Sequence, residues 1–168
     1  MNMRDVKTLF DYNYWATARV LQAAEHIDPD QFVAPLSGQI TSLRDVLMHI
    51  MSVERLWRVR WETGSSPDVL QAEDFPKLAP LRQYWEQEQH AMRTHLATLD
   101  DTMLGERVQF RRASGAQSAS FVRWHLLMQL VTHGTLHRSE AAALLTTYGQ
   151  SPGDLDFLFF VLEQDKKA

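Results

Sequence analysis

The chain has 168 residues, enough for one full hydrophobic core and too few to argue for two domains, so residues 1–168 are read as a single domain. Hydrophobic residues make up 45% and charged residues 23%, which excludes wholesale disorder, and the absence of Cys removes disulfides, thiolate metal sites, iron–sulfur clusters and a cysteine nucleophile together. With 17 Lys plus Arg against 21 Asp plus Glu, the net charge is −4 and the cations are unclustered, the wrong sign for a surface that tracks phosphates; no nucleic-acid partner is expected.

No stretch approaches the about 20 apolar residues of a membrane-spanning helix. The opening segment, Met1 to Trp15, carries charges in its first turns and lacks the apolar centre of a secretion signal. The expectation is an unprocessed, soluble, cytoplasmic chain with no membrane contact, and the lack of Cys agrees with that compartment.

Glycine and proline are few (7 and 6) and bunched, leaving four long uninterrupted segments, the pattern of helices rather than of a β sandwich. The first runs from about Arg4 to His26, with Leu9, Tyr12, Ala16, Val20 and Ala23 at three- and four-residue spacing, and Asp28-Pro29 ends it. The second opens at Thr41 or Ser42, where Ser42-Leu43-Arg44-Asp45 reads as a capping box, and runs to about Glu62 before Gly64. A third covers roughly Ala79 to Leu99, with Pro80 in its first turn. Arg107 to Arg111 alternates polar with apolar, and Gly115 separates it from Gln117 to Phe121, predicting a short β hairpin. The fourth and longest helix is expected from about Ser120 to Tyr148, closed by Gly149. Ser151-Pro152-Gly153-Asp154 then reads as the start of a short fifth helix through Leu155, Phe159 and Leu162. The fold class is all-α: a four-helix bundle with crossover loops, a short hairpin before the fourth helix and a short C-terminal helix.

Seven histidines are present. His133 and His137 stand four apart in the fourth helix, on one face and about 5–6 Å apart at Cβ, a spacing at which both rings reach one ion. Random scatter of seven histidines over this chain produces roughly 0.25 such pairs, so spacing alone does not separate ligands from core histidines. Leu126, Leu130, Ala141 and Leu144 continue the same stripe, which points the pair toward the bundle interior. His49 in the second helix lies between Val46 and Val53, again on an apolar face. Taken singly, an inward histidine is more often a satisfied core residue than a ligand. Three in one small core each need partners for both ring nitrogens, and one divalent ion satisfies three acceptor nitrogens together. His26, His90, His95 and His125 lack such an arrangement and read as surface or edge residues.

Other chemistries lack their residues. His133-Gly134-Thr135-Leu136-His137 has no Glu after its first histidine, so a zincin base is missing, and no Glu precedes any histidine by three, as a carboxylate di-iron bundle requires. There is no phosphate-cradling glycine loop and no nucleophile elbow. What remains is one mononuclear, all-nitrogen site of three ligands.

At these residues the chain resembles the DinB/YfiT-like metal-dependent superfamily, whose DNA-damage-inducible DinB proteins are unrelated to the polymerase of that name. The likeness runs through Tyr12-Asn13-Tyr14-Trp15-Ala16, Leu43 to His49, and His133-x3-His137-Arg138, followed by Gly149, Pro152 and Asp154-Leu155-Asp156. It implies a four-helix bundle, a divalent ion on His49, His133 and His137, and commonly a homodimer. Some members resemble S-transferases or isomerases that use low-molecular-weight thiols. One departure is visible: Ser139-Glu140 stands where the family often has Gly-Gln, which leaves the ligand set intact and alters any contact made by that Gln.

The expected function is that of a metal-dependent enzyme acting on small molecules, by thiol S-transfer or hydrolysis, with one divalent Zn, Ni or Fe ion. The alternative is a non-catalytic metal-stabilised binding or stress-response module. Tyr12 and Trp15 are candidates for the substrate-pocket wall, against ordinary core packing. Arg138 is a candidate holder of an anionic group, against a solvated charge or a helix-end ion pair.

Overall fold

The structure, a computed structural model, describes residues 1–35, 38, 41–110 and 119–166. Helix α1, Met3–Ala24, starts on a reciprocal cap: Asn2 Oδ1 accepts from the Asp5 amide at 3.0 Å and Asp5 Oδ2 accepts from the Asn2 amide at 2.9 Å. Asp28-Pro29 does end the first helical run, but Pro29 also opens the single turn α2, Pro29–Val33, because a first-turn proline lacks only an amide that would be unpaired anyway. Helix α3, Leu43–Thr63, begins at the expected Ser42–Asp45 capping box and stops at Gly64, whose φ of 71° suits a residue without a Cβ. A 3-10 turn at Ala72–Asp74 leads into α4, Leu78–Ala97.

Strands β1, Arg107–Phe110, and β2, Ala119–Val122, pair antiparallel with Arg107 opposite Val122 and Phe110 opposite Ala119. The expected turn, with Arg111, Gly115 and Gln117, lies outside the described residues. Helix α5 spans Arg123–Thr147, three residues later than the sequence pattern suggests, because Ser120 to Val122 spend their backbone groups on the hairpin ladder. Its end follows expectation: the Gly149 and Gln150 amides donate to the Thr146 and Leu145 carbonyls at 3.0 and 2.9 Å, the paired bonds of a Schellman cap, with Gly149 at φ 76°.

The C-terminal helix α6, Phe157–Asp165, corrects the expected opening at Ser151-Pro152. Gly153 takes φ 74°, outside the right-handed helical region, and its amide donates to Ser151 Oγ at 3.2 Å. That tetrapeptide is a turn, and the helix starts after Asp156.

The long helices α1, α3, α4 and α5 pack around a core in two clusters. One gathers Val20, Leu47, Ile50, Met51, Leu81, Trp85 and Leu145; the other gathers Phe10, Met92, Leu104, Leu127, Leu130 and Phe160. On α3 and α5 the first cluster gives way to the second at a charged residue, Glu54 and Arg138, exposed by only 3% and 1%. Asn13 of α1, fully buried, joins them: its Nδ2 donates to Glu54 Oε1 at 2.7 Å and its Oδ1 accepts from Arg138 NH1. Trp85 of α4 donates from Nε1 to Glu54 Oε2 at 3.2 Å, and Arg138 NH2 donates to Thr135 Oγ1 at 3.0 Å. One polar chain therefore ties all four long helices. Burial pushes the Glu54 carboxyl up and the Arg138 guanidinium down; the hydrogen bonds to Glu54 and the mutual attraction of the two charges oppose both shifts.

Gly134 makes room for this chain. A Cβ there would stand 2.7 Å from Arg138 NH1 and 2.8 Å from Asn13 Oδ1, so Gly134→Ala is expected to cost about 1–3 kcal/mol by overpacking. Arg138→Met, which strands the Glu54 carboxylate, is expected to cost about 3 kcal/mol, and adding Glu54→Gln to recover most of it. Urea unfolding of the three variants against the parent checks both expectations.

Candidate metal centre

His49 on α3 and His133 and His137 on α5 meet across the packed pair of helices. Each offers a nitrogen, and these three atoms lie within 4.8 Å of one another. The ring centroids are 4.9 Å apart for His49 and His133, 4.5 Å for His49 and His137, and 4.4 Å for His133 and His137. The cluster thus forms where the spacing and the apolar neighbours suggested, with one correction. The rings do not point into the core: His49 is exposed and the other two are half-buried. Gly134, Arg138 and Ala141 occupy the inward face of α5, so His133 and His137, one position before Gly134 and Arg138, are turned about 100° toward the rim. Likewise Leu47, Ile50, Met51 and Glu54 hold the inward face of α3 and leave His49 outside it.

The donor geometry suits a divalent cation. His49 Nε2 and His133 Nε2 are 3.1 Å apart. Two nitrogens that each lie about 2.0–2.1 Å from a tetrahedral ion stand about 3.3 Å from one another, so this pair is already near ligand spacing. Burial lowers the His133 pKa to about 4, with the neighbouring His137 and His49 rings adding to the shift. His49 is lowered by burial and by His137. His49 and His133 are therefore neutral near pH 7, the form that donates a lone pair. His137 Nδ1 lies 2.8 Å from Glu140 Oε2, one turn on along α5.

Tyr12 is a core residue, 6% exposed, with its ring 5.3 Å from Phe157 and 6.0 Å from Phe160, and the Arg138 guanidinium carbon 5.7 Å from its centre. Trp15 is half-buried, donates from Nε1 to Glu163 at 2.9 Å and stacks beneath Arg19. It lines a groove of about 790 Å³ with Arg4, Asp11, Tyr14 and Arg93, and no histidine of the cluster lines that groove. Arg138 is neither solvated nor at a helix end; its guanidinium belongs to the buried polar chain. The three histidines come together, Arg138 and Tyr12 pack against each other in the interior, and Trp15 faces a separate groove.

Sequence reasoning passed over Asn13, Glu54, Gly134 and the role of Glu140. A signal for Glu54 was present: it continues the inward series Leu47, Ile50 and Met51 at helical spacing, where a carboxylate demands a partner. A signal for Glu140 was its i+3 spacing from His137.

A helical bundle that gathers three histidines at its rim carries a group that could hold a metal ion. The model of the DinB family matches residues 1–167, and the chain belongs to that family. It is also similar to the Protein DinB of Bacillus subtilis (strain 168), 22% identical over 165 residues that cover 94% of this chain and 95% of that protein. No helix among the described residues is long and apolar enough to cross a membrane.

His95, placed at the edge by the sequence pattern, is more enclosed than that. It stacks on Trp61 with 5.6 Å between centroids, its side chain is 10% exposed, and its Nε2 has no hydrogen-bond partner among the described residues. Burial lowers its pKa, so the unfolded chain binds more protons than the folded one below the unfolded value of about 6.5. Stability should therefore fall as pH drops from about 6.5 toward the depressed folded value. His95→Phe, which keeps the stacking and removes the proton site, should flatten that slope when unfolding midpoints are compared from pH 7.5 to 5.5.

Proposed function

We propose that this chain binds one divalent transition-metal ion through His49, His133 and His137 and uses it as an enzyme on small molecules, by thiol S-transfer or by hydrolysis. The observation that carries the reading is the convergence of three imidazole nitrogens within 4.8 Å at a solvent-facing rim. Three protein ligands with solvent on one side match catalytic rather than structural sites, which are closed by four. Such an ion, when bound, supplies Lewis acidity, lowering the pKa of water or of a thiol toward about 7.

The chain's own residues do the rest. The three imidazoles hold the ion without charge of their own, leaving its charge available to a ligand. The exposure of His49 keeps one side of the cluster open to an incoming molecule. Because the chain has no Cys, a thiol nucleophile must come from outside. The metal is Zn, Ni or Fe, ions that imidazole donors suit. The reading includes a cytoplasmic homodimer, for which the exposed Phe157, Leu158, Phe159 and Leu162 of α6 supply apolar surface.

A second reading has one observation in its favour: His133 and His137 adjoin Gly134 and Arg138 of the buried polar chain, so an ion there would also brace the fold. Metal-free protein titrated with Zn, Ni or Fe(II) should take up about one ion per chain. The triple replacement of His49, His133 and His137 by Ala should take up none, and each single replacement should weaken binding by more than the roughly 10–100-fold that loss of an outer partner costs. Cobalt-loaded protein should change its visible spectrum on adding a small thiol. A protein that gains thermal stability from metal yet responds to no thiol or electrophile is the non-catalytic module.

A further inference from the structure

Glu140 is the carboxylate that reaches the histidine cluster. Its Oε2 stands 2.8 Å from His137 Nδ1, and among the described residues no other carboxylate hydrogen-bonds one of the three rings. The contact is made within one helix at i,i+3, so it needs no assistance from elsewhere in the fold. Glu140 itself is not a member of the cluster, and its side chain is 51% exposed, free of any core-packing duty.

An ionised carboxylate only accepts. Facing Nδ1, it requires the proton to sit there and leaves the Nε2 lone pair of His137 for the cluster. An amide in the same place makes no such demand, since its oxygen accepts from Nδ1–H and its NH2 donates to a bare Nδ1. Glu140 thus selects a single tautomer where a glutamine would tolerate both. It also adds a negative charge one ring away from the cation, which makes the imidazole a stronger donor.

We propose that Glu140 is a positioning residue of the metal centre, holding His137 as the Nδ1–H tautomer with Nε2 toward the ion and strengthening it as a donor. This rests on the metal-binding reading above for its effect on affinity, while the tautomer it assigns is a property of the metal-free chain as well.

Two measurements on the parent, Glu140→Gln and Glu140→Ala test it. The first is zinc affinity of metal-free protein by competition with a chelating dye. Glu140→Ala should bind about 10–100-fold more weakly than the parent at unchanged stoichiometry, and Glu140→Gln should fall between them. The second is the nitrogen NMR of the His137 ring in metal-free protein at pH 8, which should report Nδ1–H in the parent and a tautomer mixture in Glu140→Ala. Because Glu140 is exposed, thermal melting of the metal-free variants should match the parent, separating positioning from stability. Equal zinc affinity in Glu140→Ala and the parent overturns the proposal, as does an Nε2–H tautomer in the parent. If the parent takes up no zinc, the proposed function fails and the effect of Glu140 on affinity fails with it; an Nδ1–H tautomer there still upholds the positioning of the ring.

Discussion

Glu54, Asn13 and Arg138 place two opposite charges inside a small hydrophobic bundle, joined by one amide. An isolated charge in such a core would be prohibitive, and even a paired one repays its desolvation only when the geometry is good and the remaining lone pairs are filled. Here Asn13 supplies a donor to the carboxylate and an acceptor to the guanidinium, Trp85 fills the second carboxylate oxygen, and Thr135 takes another guanidinium proton. Each of the four long helices contributes a member, so the apolar layers above and below can pack in one relative arrangement of the helices. Apolar residues alone tolerate small rotations and slides; a chain of directed bonds does not.

The histidines inherit that definition. His133 and His137 each precede a residue of the inward face, Gly134 and Arg138, whose positions the polar chain determines to within a hydrogen bond. His49 lies five residues before Glu54 on the same helix. Fixing the inward residues sets the rotation of α3 and α5 about their axes, and with it the direction of the three rings. A site whose supporting residues are locked by packing can hold its donors near productive spacing before any ion arrives. The 3.1 Å separation of the His49 and His133 nitrogens is the local result. Placing the rings at the rim leaves one side of the cluster open to solvent.

The helices were legible in the sequence because their signals are local. Ser42, Gly64 and Gly149 act on their own neighbours through caps and left-handed glycines, and the structure shows each at work. The two boundaries that the pattern placed elsewhere, the starts of α5 and α6, were decided by less local events. Ser120 to Val122 had helical apolar spacing but found a strand partner in Arg107 to Gln109, and a turn with Gly153 at positive φ displaced the start expected at Ser151-Pro152.

By itself the sequence determined that helices with apolar stripes would form, that no thiol of the chain would serve as ligand or nucleophile, and that His133 and His137 stood at a spacing able to share an ion. Periodicity and residue chemistry suffice for that much, since both are carried along one helix. Only the tertiary structure decided which way the stripes turn. Rotation of a helix about its axis depends on every partner it packs against, and here the buried Arg138 and Glu54 took the inward positions that apolar counting had assigned to the histidines. The same rotation brought His49 beside His133 and kept the imidazoles within reach of solvent.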